Sequence, residues 1–114
     1  MPIHLIRHAH AGSRKKWDGD DRLRPLSERG RAQAGRMDLD LADAPVDELW
    51  SSPFVRCVQT LEPLAERRSL PITEVDLLAE GASGREAKDA LLVAAGDGLT
   101  VAASTDGDVM DEIL

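Results

Sequence analysis

The chain enters its first predicted strand at Ile3-His4-Leu5-Ile6-Arg7-His8, where a short apolar run gives way to an arginine and a histidine. Such a run is consistent with a buried strand. Further apolar runs at residues 46–50, 72–78 and 99–103 predict three more strands. The last of these is nearly continuous in apolar residues, which is typical of a buried strand in a parallel sheet.

The segments between these strands have the features of helices. Ser27 is a suitable N-cap for a helix that reaches about residue 42. Pro53 suits the first turn of a second helix, which Pro63 is expected to interrupt or kink. Two more helices are predicted at residues 85–95 and 109–114. Strands that alternate with helices predict an α/β fold, a three-layer sandwich with a mostly parallel central sheet.

Length and charge narrow the classes of protein to be considered. The 114 residues fit a single domain spanning residues 1–114, and 42% of them are apolar, which is too many for a disordered chain. The formal net charge of −7 argues against a nucleic acid or an anionic membrane as partner. The oligomeric state is not encoded in any recognisable pattern.

Cysteine content and hydropathy suggest a reduced, cytoplasmic compartment. Cys57 is the single cysteine, so an internal disulfide framework is excluded. No stretch has the apolar length of a membrane span, and Arg7 interrupts the N-terminal apolar run well before the length of a signal peptide. The chain stops within a predicted helix, which is compatible with a segment of a longer protein.

Polar residues follow each of the predicted strands. They are Arg7-His8, Ser51-Ser52, Glu80 and the segment 104–108. In open α/β sheets, ligands bind outside the carboxyl ends of the strands, where these residues would meet. The sequence therefore predicts a functional site at this edge of the sheet.

The residue types at this edge suit phosphoryl transfer. Two guanidiniums, Arg7 and Arg56, match the oxygens of a phosphate, and nearby cations keep an imidazole such as His8 neutral and nucleophilic. A carboxylic acid such as Glu80 can protonate the leaving alcohol. This set predicts phosphoryl transfer through a phosphohistidine, with no metal or cofactor required.

Four segments resemble the histidine phosphatase superfamily, which has the phosphoglycerate-mutase-like fold. An Arg-His pair alone would be weak evidence, but order and spacing agree from residue 2 to about residue 114. The segments are Leu5-Ile6-Arg7-His8-Ala9-His10-Ala11, Leu26-Ser27-Glu28-Arg29-Gly30-Arg31-Ala32-Gln33-Ala34, Ser51-Ser52-Pro53-Phe54-Val55-Arg56-Cys57-Val58-Gln59-Thr60 and Leu78-Ala79-Glu80-Gly81.

The resemblance implies a role for each matched residue. His8 would be the phosphorylated nucleophile, Arg7 and Arg56 would bind the phosphoryl group, and Glu80 would be the acid/base. The chain is similar to the small phosphohistidine-phosphatase-type members, although it is shorter at its C-terminus. The implied activity is hydrolysis of a phosphomonoester or phosphohistidine, and the implied partner is a phosphorylated small molecule or a phosphohistidine protein.

Asp106 departs from the family pattern. The family places a second histidine after the last core strand, but this chain has Ala103-Ser104-Thr105-Asp106-Gly107-Asp108-Val109. A histidine there donates a hydrogen bond to the phosphoryl group, whereas an ionised aspartate can only accept. Two outcomes are open: Asp106 pairs with Arg7 or Arg56 and weakens phosphate binding, or it is protonated or binds a cation and some activity survives. The alternative to an impaired phosphatase is a degenerate, non-catalytic phosphate-binding or interaction domain.

Three other polar clusters have alternative explanations. His4, His8 and His10 share strand parity and could form a metal site, but a satisfied core role for His4 is more common. The acidic run at residues 18–21 lacks the pattern of a calcium loop and is expected to be solvated. Arg14-Lys15-Lys16 would either steer an anionic substrate or simply keep their loop in contact with water. The resemblance implies that this long loop, which contains Trp17, borders the substrate entrance.

Overall fold

A computed structural model describes residues 3–41 and 43–113 and contains a four-stranded sheet flanked by helices. The strands are β1 (Ile3–Arg7), β2 (Glu48–Ser51), β3 (Ile72–Glu74) and β4 (Val101–Thr105). The helices are α1 (Glu28–Asp40), α2 (Val55–Arg68), α3 (Gly84–Gly96) and α4 (Gly107–Ile113), with short 3-10 turns at Asp21–Leu23 and Asp76–Leu78.

All pairings between the strands are parallel, and the strand order is β1-β4-β2-β3. The central strand β4 pairs with β1 from Ile3↔Val101 to Arg7↔Thr105, and with β2 up to Ser51↔Ser104. The carboxyl ends of β1, β2 and β4 therefore lie side by side. This arrangement brings together the polar residues that follow those strands.

The apolar core has two parts, one on each face of the sheet. Along β4, side chains alternate between the faces, so Ala102 packs with Leu61 and Leu64 of α2, while Val101 packs with Leu91 of α3 and Val109 of α4. Since β4 is fully buried on both faces, its apolar run matches a central parallel strand. The prediction of a three-layer α/β sandwich with a parallel sheet is confirmed.

Several boundaries differ from those predicted. Pro53 lies before α2 rather than in its first turn, because the N-cap is Phe54, whose backbone N–H donates to Ser52 Oγ. Pro63 does not interrupt α2, which continues to Arg68 because its apolar face is buried in the core. The predicted first-turn position of Pro53 and the predicted interruption at Pro63 were wrong.

Strand boundaries also differ. The third strand ends at Glu74, and the rest of the predicted segment, up to Leu78, is the exit from the strand and contains a 3-10 turn. Strand β4 extends to Thr105, two residues past the predicted end. The extension is possible because Ser104 Oγ donates to the Cys57 carbonyl and Thr105 Oγ1 to the Leu78 carbonyl, so both hydroxyls are satisfied inside the core.

The predicted N-cap of α1 is confirmed, and it also fixes the loop after β1. Ser27 Oγ accepts a hydrogen bond from the Gly30 backbone N–H, and the Ser27 N–H donates to the His10 carbonyl. A Cβ on Gly30 would lie 1.9 Å from that carbonyl oxygen, so the loop can pack this closely only against glycine. Within the described ranges, no helix is long and apolar enough to cross a membrane.

Candidate active site

His8 follows β1 directly, and its ring is held in one tautomer. Its Nδ1 lies 2.7 Å from the Ala9 carbonyl oxygen, which can only accept, so Nδ1 carries the proton. The neutral ring therefore presents the lone pair of Nε2, which lies 3.7 Å from Asp106 Oδ1. The Ala9 N–H donates to Thr60 Oγ1 at 3.0 Å, so α2 fixes the backbone beside the imidazole.

The pKa of His8 is lowered below its ordinary value of 6.5. Burial is the largest cause, and the charges of Arg56 and Arg7 act in the same direction, while the Ala9 carbonyl and Asp106 oppose them. The imidazole is therefore neutral at pH 7, as a nucleophile must be.

We expect His8 to titrate below pH 6.5 in the folded protein, as measured by the NMR shifts of its ring. As pH falls through 6.5, His8 is protonated in the unfolded chain before it is protonated in the folded protein. Acid pH therefore favours unfolding, and the stability that the neutral His8 contributes above pH 6.5 is lost. In Asp106→Asn the midpoint of the His8 titration should fall further, because the Asp106 charge raises the pKa of His8 in the wild type. A midpoint at or above 6.5 in the wild type would contradict this environment.

Arg56 lies at the centre of the site and is only 1% exposed. Its guanidinium contacts three carboxylates: Nη2 lies 2.9 Å from both Asp106 Oδ1 and Glu80 Oε2, and Nη1 lies 3.2 Å from Asp21 Oδ2. The ring of Phe54 lies 4.8 Å from the guanidinium carbon. A buried charge of this kind is stable only with such partners, and removing one member of a buried pair typically costs about 3–5 kcal/mol.

Asp106 follows β4 and is 3% exposed. Its Oδ1 accepts from Arg56 Nε at 3.1 Å and from Nη2, whereas Oδ2 lies 3.5 Å from Ser52 Oγ and 3.7 Å from Cys57 Sγ. Of the arrangements open from the sequence, pairing with Arg56 is the observed one. Burial, followed by the Asp106 charge, raises the pKa of Cys57 to about 12, so the thiol stays protonated.

Glu80 joins the site from the turn that follows the 3-10 segment Asp76–Leu78. Its side chain is 30% exposed, and Oε2 accepts from Arg56 Nη2. Arg14, on the loop after β1, donates to both oxygens of this carboxylate, at 2.9 and 3.1 Å. The contact with Arg56 links Glu80 to Asp106 and, through it, to His8.

Arg7 is exposed and forms no ion pair or hydrogen bond among the described contacts. Its guanidinium lies against Gly107, where an added Cβ would be 3.2 Å from the Arg7 Nε. It is near enough to lower the pKa of His8. The structure therefore places Arg7, His8, Arg56, Glu80 and Asp106 at one edge of the sheet, and their predicted chemical roles stay predictions.

Sequence reasoning missed Asp21. The run at residues 18–21 was expected to be a solvated loop, but Asp21 contacts Arg24 at 2.9 Å and Arg14 at 3.6 Å as well as Arg56. Burial acts to raise the pKa of Asp21, but the neighbouring arginines outweigh it and the pKa is lowered. No local pattern marks this residue, since its partner on α2 is 35 positions away.

Two further predictions concern side chains near the loop. Trp17 lines a cavity of about 280 Å³ with Lys16 and Arg24, and none of the central site residues line it, so its place beside the substrate entrance stays a prediction. His10 Nδ1 lies 2.7 Å from Ser27 Oγ, a contact that ties it to α1. In residues 3–41 and 43–113, no three His, Cys, Asp or Glu side chains are grouped closely enough to hold a metal.

Known proteins resemble this chain in sequence and in fold. The 8-oxo-(d)GTP phosphatase of Mycolicibacterium smegmatis is 42% identical over 86 residues, which make up 75% of this chain and 27% of that protein. The chain therefore spans only about a quarter of the length of this curated relative.

Solved structures share the fold. The protein histidine phosphatase SixA in complex with tungstate superposes with a TM-score of 0.85 at 21% identity, covering 97% of this chain and 72% of that one. The phosphohistidine phosphatase SixA from Agrobacterium tumefaciens has a TM-score of 0.80 at 26% identity, and the match covers 96% of this chain and 70% of that one. The family model of the histidine phosphatase superfamily (branch 1) matches residues 3–90. This chain belongs to the histidine phosphatase superfamily.

Proposed function

We propose that this protein hydrolyses a phosphomonoester or a phosphohistidine through a phosphohistidine intermediate at His8. One observation supports the proposal above the others. Oδ1 of Asp106, an anionic oxygen bound by the Arg56 guanidinium, lies 3.7 Å from Nε2 of His8. We infer that an oxygen of a bound phosphoryl group would lie near this position, within reach of both the proposed nucleophile and the cation.

The proposed reaction has two steps. In the first, His8 Nε2 forms a bond to phosphorus, the bond from phosphorus to the leaving oxygen breaks, and Glu80, in its protonated form, donates its proton to that oxygen and becomes a carboxylate. In the second, Glu80 takes a proton from water, the water oxygen attacks phosphorus, and the bond to Nε2 breaks. Arg7 and Arg56 bind the phosphoryl oxygens in both steps, and no metal takes part.

The relatives support a phosphorylated substrate. The SixA proteins are phosphohistidine phosphatases and the curated relative is an 8-oxo-(d)GTP phosphatase, so a phosphohistidine protein and a phosphorylated small molecule both fit. These names describe the relatives, and the curated one is much longer than this chain. Hydrolysis of a phosphate ester or phosphoramidate is what they have in common.

A second candidate function follows from the Asp106–Arg56 pair. A substrate phosphate must displace the Asp106 carboxylate from Arg56, or bind beside it. At ~4 Å and an effective dielectric constant of ~20, one contact between like charges costs on the order of 4 kcal/mol. This cost supports a degenerate domain of the same fold, which binds an anion or a partner protein without turnover.

Orthovanadate binding tests the phosphate site that both candidates share. We expect millimolar vanadate to raise the melting temperature, since a ligand at 100 times its Kd stabilises by about 2.7 kcal/mol. In Arg7→Gln the shift should shrink strongly, because this side chain has no other partner among the described contacts. Lys15→Gln, which removes a positive charge from the loop, is the matched control and should keep the shift. An absent shift in the wild type, or an equal one in Arg7→Gln, would contradict the proposed site.

A further inference from the structure

The Glu80 carboxylate is held between two arginines. Arg56 donates to Oε2 alone, whereas Arg14 reaches both oxygens. Both Arg14 contacts come from one nitrogen, Nη2, which lies 2.9 Å from Oε1 and 3.1 Å from Oε2 and so bridges the two oxygens. The backbone of the turn is itself held, because the Gly81 N–H donates to Asp108 Oδ2 at 3.1 Å and the Ala82 N–H donates to the Ala79 carbonyl, so the arginine contacts act on the Glu80 side chain alone.

Arg14 forms an outer layer over the buried arginine. Asp21 and Glu80 both contact the buried Arg56 and the exposed Arg14. Arg14 Nε lies 3.6 Å from Asp21 Oδ1. The two arginines differ sharply in burial: the Arg14 side chain is 59% exposed and that of Arg56 is 1% exposed. Arg14 thereby ties the loop after β1 to the turn that carries Glu80.

We propose that Arg14 is a positioning residue that orients the Glu80 carboxyl group towards the leaving oxygen of the substrate. This inference rests on the proposed function, in which Glu80 is the proton donor. An exposed ion pair contributes little to stability, so Arg14→Ala is expected to keep the fold while it removes the outer contact of the Glu80 carboxyl group. Arg14 thus affects the chemistry through Glu80 without contacting the reacting atoms.

Dependence on the leaving group tests this role. An alkyl phosphate needs a proton on its leaving alcohol, whereas 4-nitrophenyl phosphate releases a stable phenolate that needs little assistance. General acid catalysis typically contributes ~10²–10⁴-fold, so Arg14→Ala should lower kcat/KM for the alkyl phosphate about tenfold or more and leave kcat/KM for the aryl phosphate nearly unchanged. We compare kcat/KM because it covers only the first step, before Glu80 acts as a base on water. Equal losses on both substrates would assign Arg14 a purely structural role and overturn the proposal.

Variants sharpen the test. Arg14→Lys keeps the charge but has a single nitrogen, which cannot contact Glu80 and Asp21 through separate atoms as Arg14 does, so it should recover only part of the loss on the alkyl phosphate. In the Glu80→Gln background, Arg14→Ala should add no further loss, since both changes remove the same function. Lys15→Ala is the matched control on the same loop and should leave kcat unchanged on both substrates.

The orientation of Glu80 is measurable without turnover. Side-chain NMR couplings should report one Glu80 rotamer in the wild type and in Lys15→Ala, and averaging over several in Arg14→Ala. A single unchanged rotamer in Arg14→Ala would overturn the proposal. A wild type that is inert on every substrate would instead contradict the proposed hydrolysis, and the rotamer measurement would still decide whether Arg14 positions Glu80.

Discussion

Asp106→His is expected to raise phosphatase turnover by about 10²–10³-fold, the usual effect of one preorganised donor to a developing oxyanion. In the wild type, the Asp106 carboxylate is paired with the Arg56 guanidinium and, when ionised, can only accept hydrogen bonds. An imidazole at this position releases Arg56 for the phosphoryl group and donates to it. The assay compares the two proteins on an aryl phosphate and on a phosphohistidine protein.

Two further variants separate the causes. Asp106→Asn removes the charge at nearly the same volume, so it should bind vanadate more tightly than the wild type. Asp111→His introduces the same imidazole at an exposed position of α4 and should leave the rate unchanged.

The assay also distinguishes the two candidate functions. If the wild type is inert on both substrates and the Asp106→His variant turns them over, the result favours the degenerate domain. Comparable rates in the two proteins would show that the site tolerates the aspartate. Absence of turnover in both proteins would contradict the proposed hydrolysis.

His8→Ala is expected to abolish turnover on every substrate, because no phosphoenzyme can form without Nε2. The wild type, incubated with a ³²P-labelled substrate and quenched in alkali, should retain label that acid releases, as phosphohistidine does. His8→Ala should retain none. His10→Gln, a change two positions along the chain in a residue bound to Ser27, should keep both the label and the rate. A rate in His8→Ala within a few-fold of the wild type would exclude His8 as the nucleophile.

The order of strands and helices was predictable because it depends on local patterns. The apolar run before Arg7 and the nearly continuous one before Ser104 both form buried parallel strands, and Ser27 caps α1 as predicted. Boundaries were less predictable. Strand β4 continues through Thr105 because a neighbouring element satisfies its hydroxyl, and no pattern within the strand reveals that partner.

The edge that collects the candidate residues also follows from the sequence, since parallel strands present their carboxyl ends together. His8, Arg56, Glu80 and Asp106 could therefore be assigned to one site before their contacts were known. The preferred tautomer of His8 could not be predicted from the sequence, because it depends on the contact that the ring makes with the Ala9 carbonyl in the folded chain.

Identity and order of residues along the chain were enough to specify the α/β sandwich, the family and the candidate side chains at the site, with the exception of Asp21. Folding decided how these charges are paired. Arg14 and Glu80 are 66 positions apart, and Arg56 and Asp106 are 50 apart, yet each pair is in direct contact. Strand and helix patterns arise from interactions between near neighbours in sequence. An ion pair depends on the position and burial of both side chains, which exist only once the sheet and its two layers of helices have assembled.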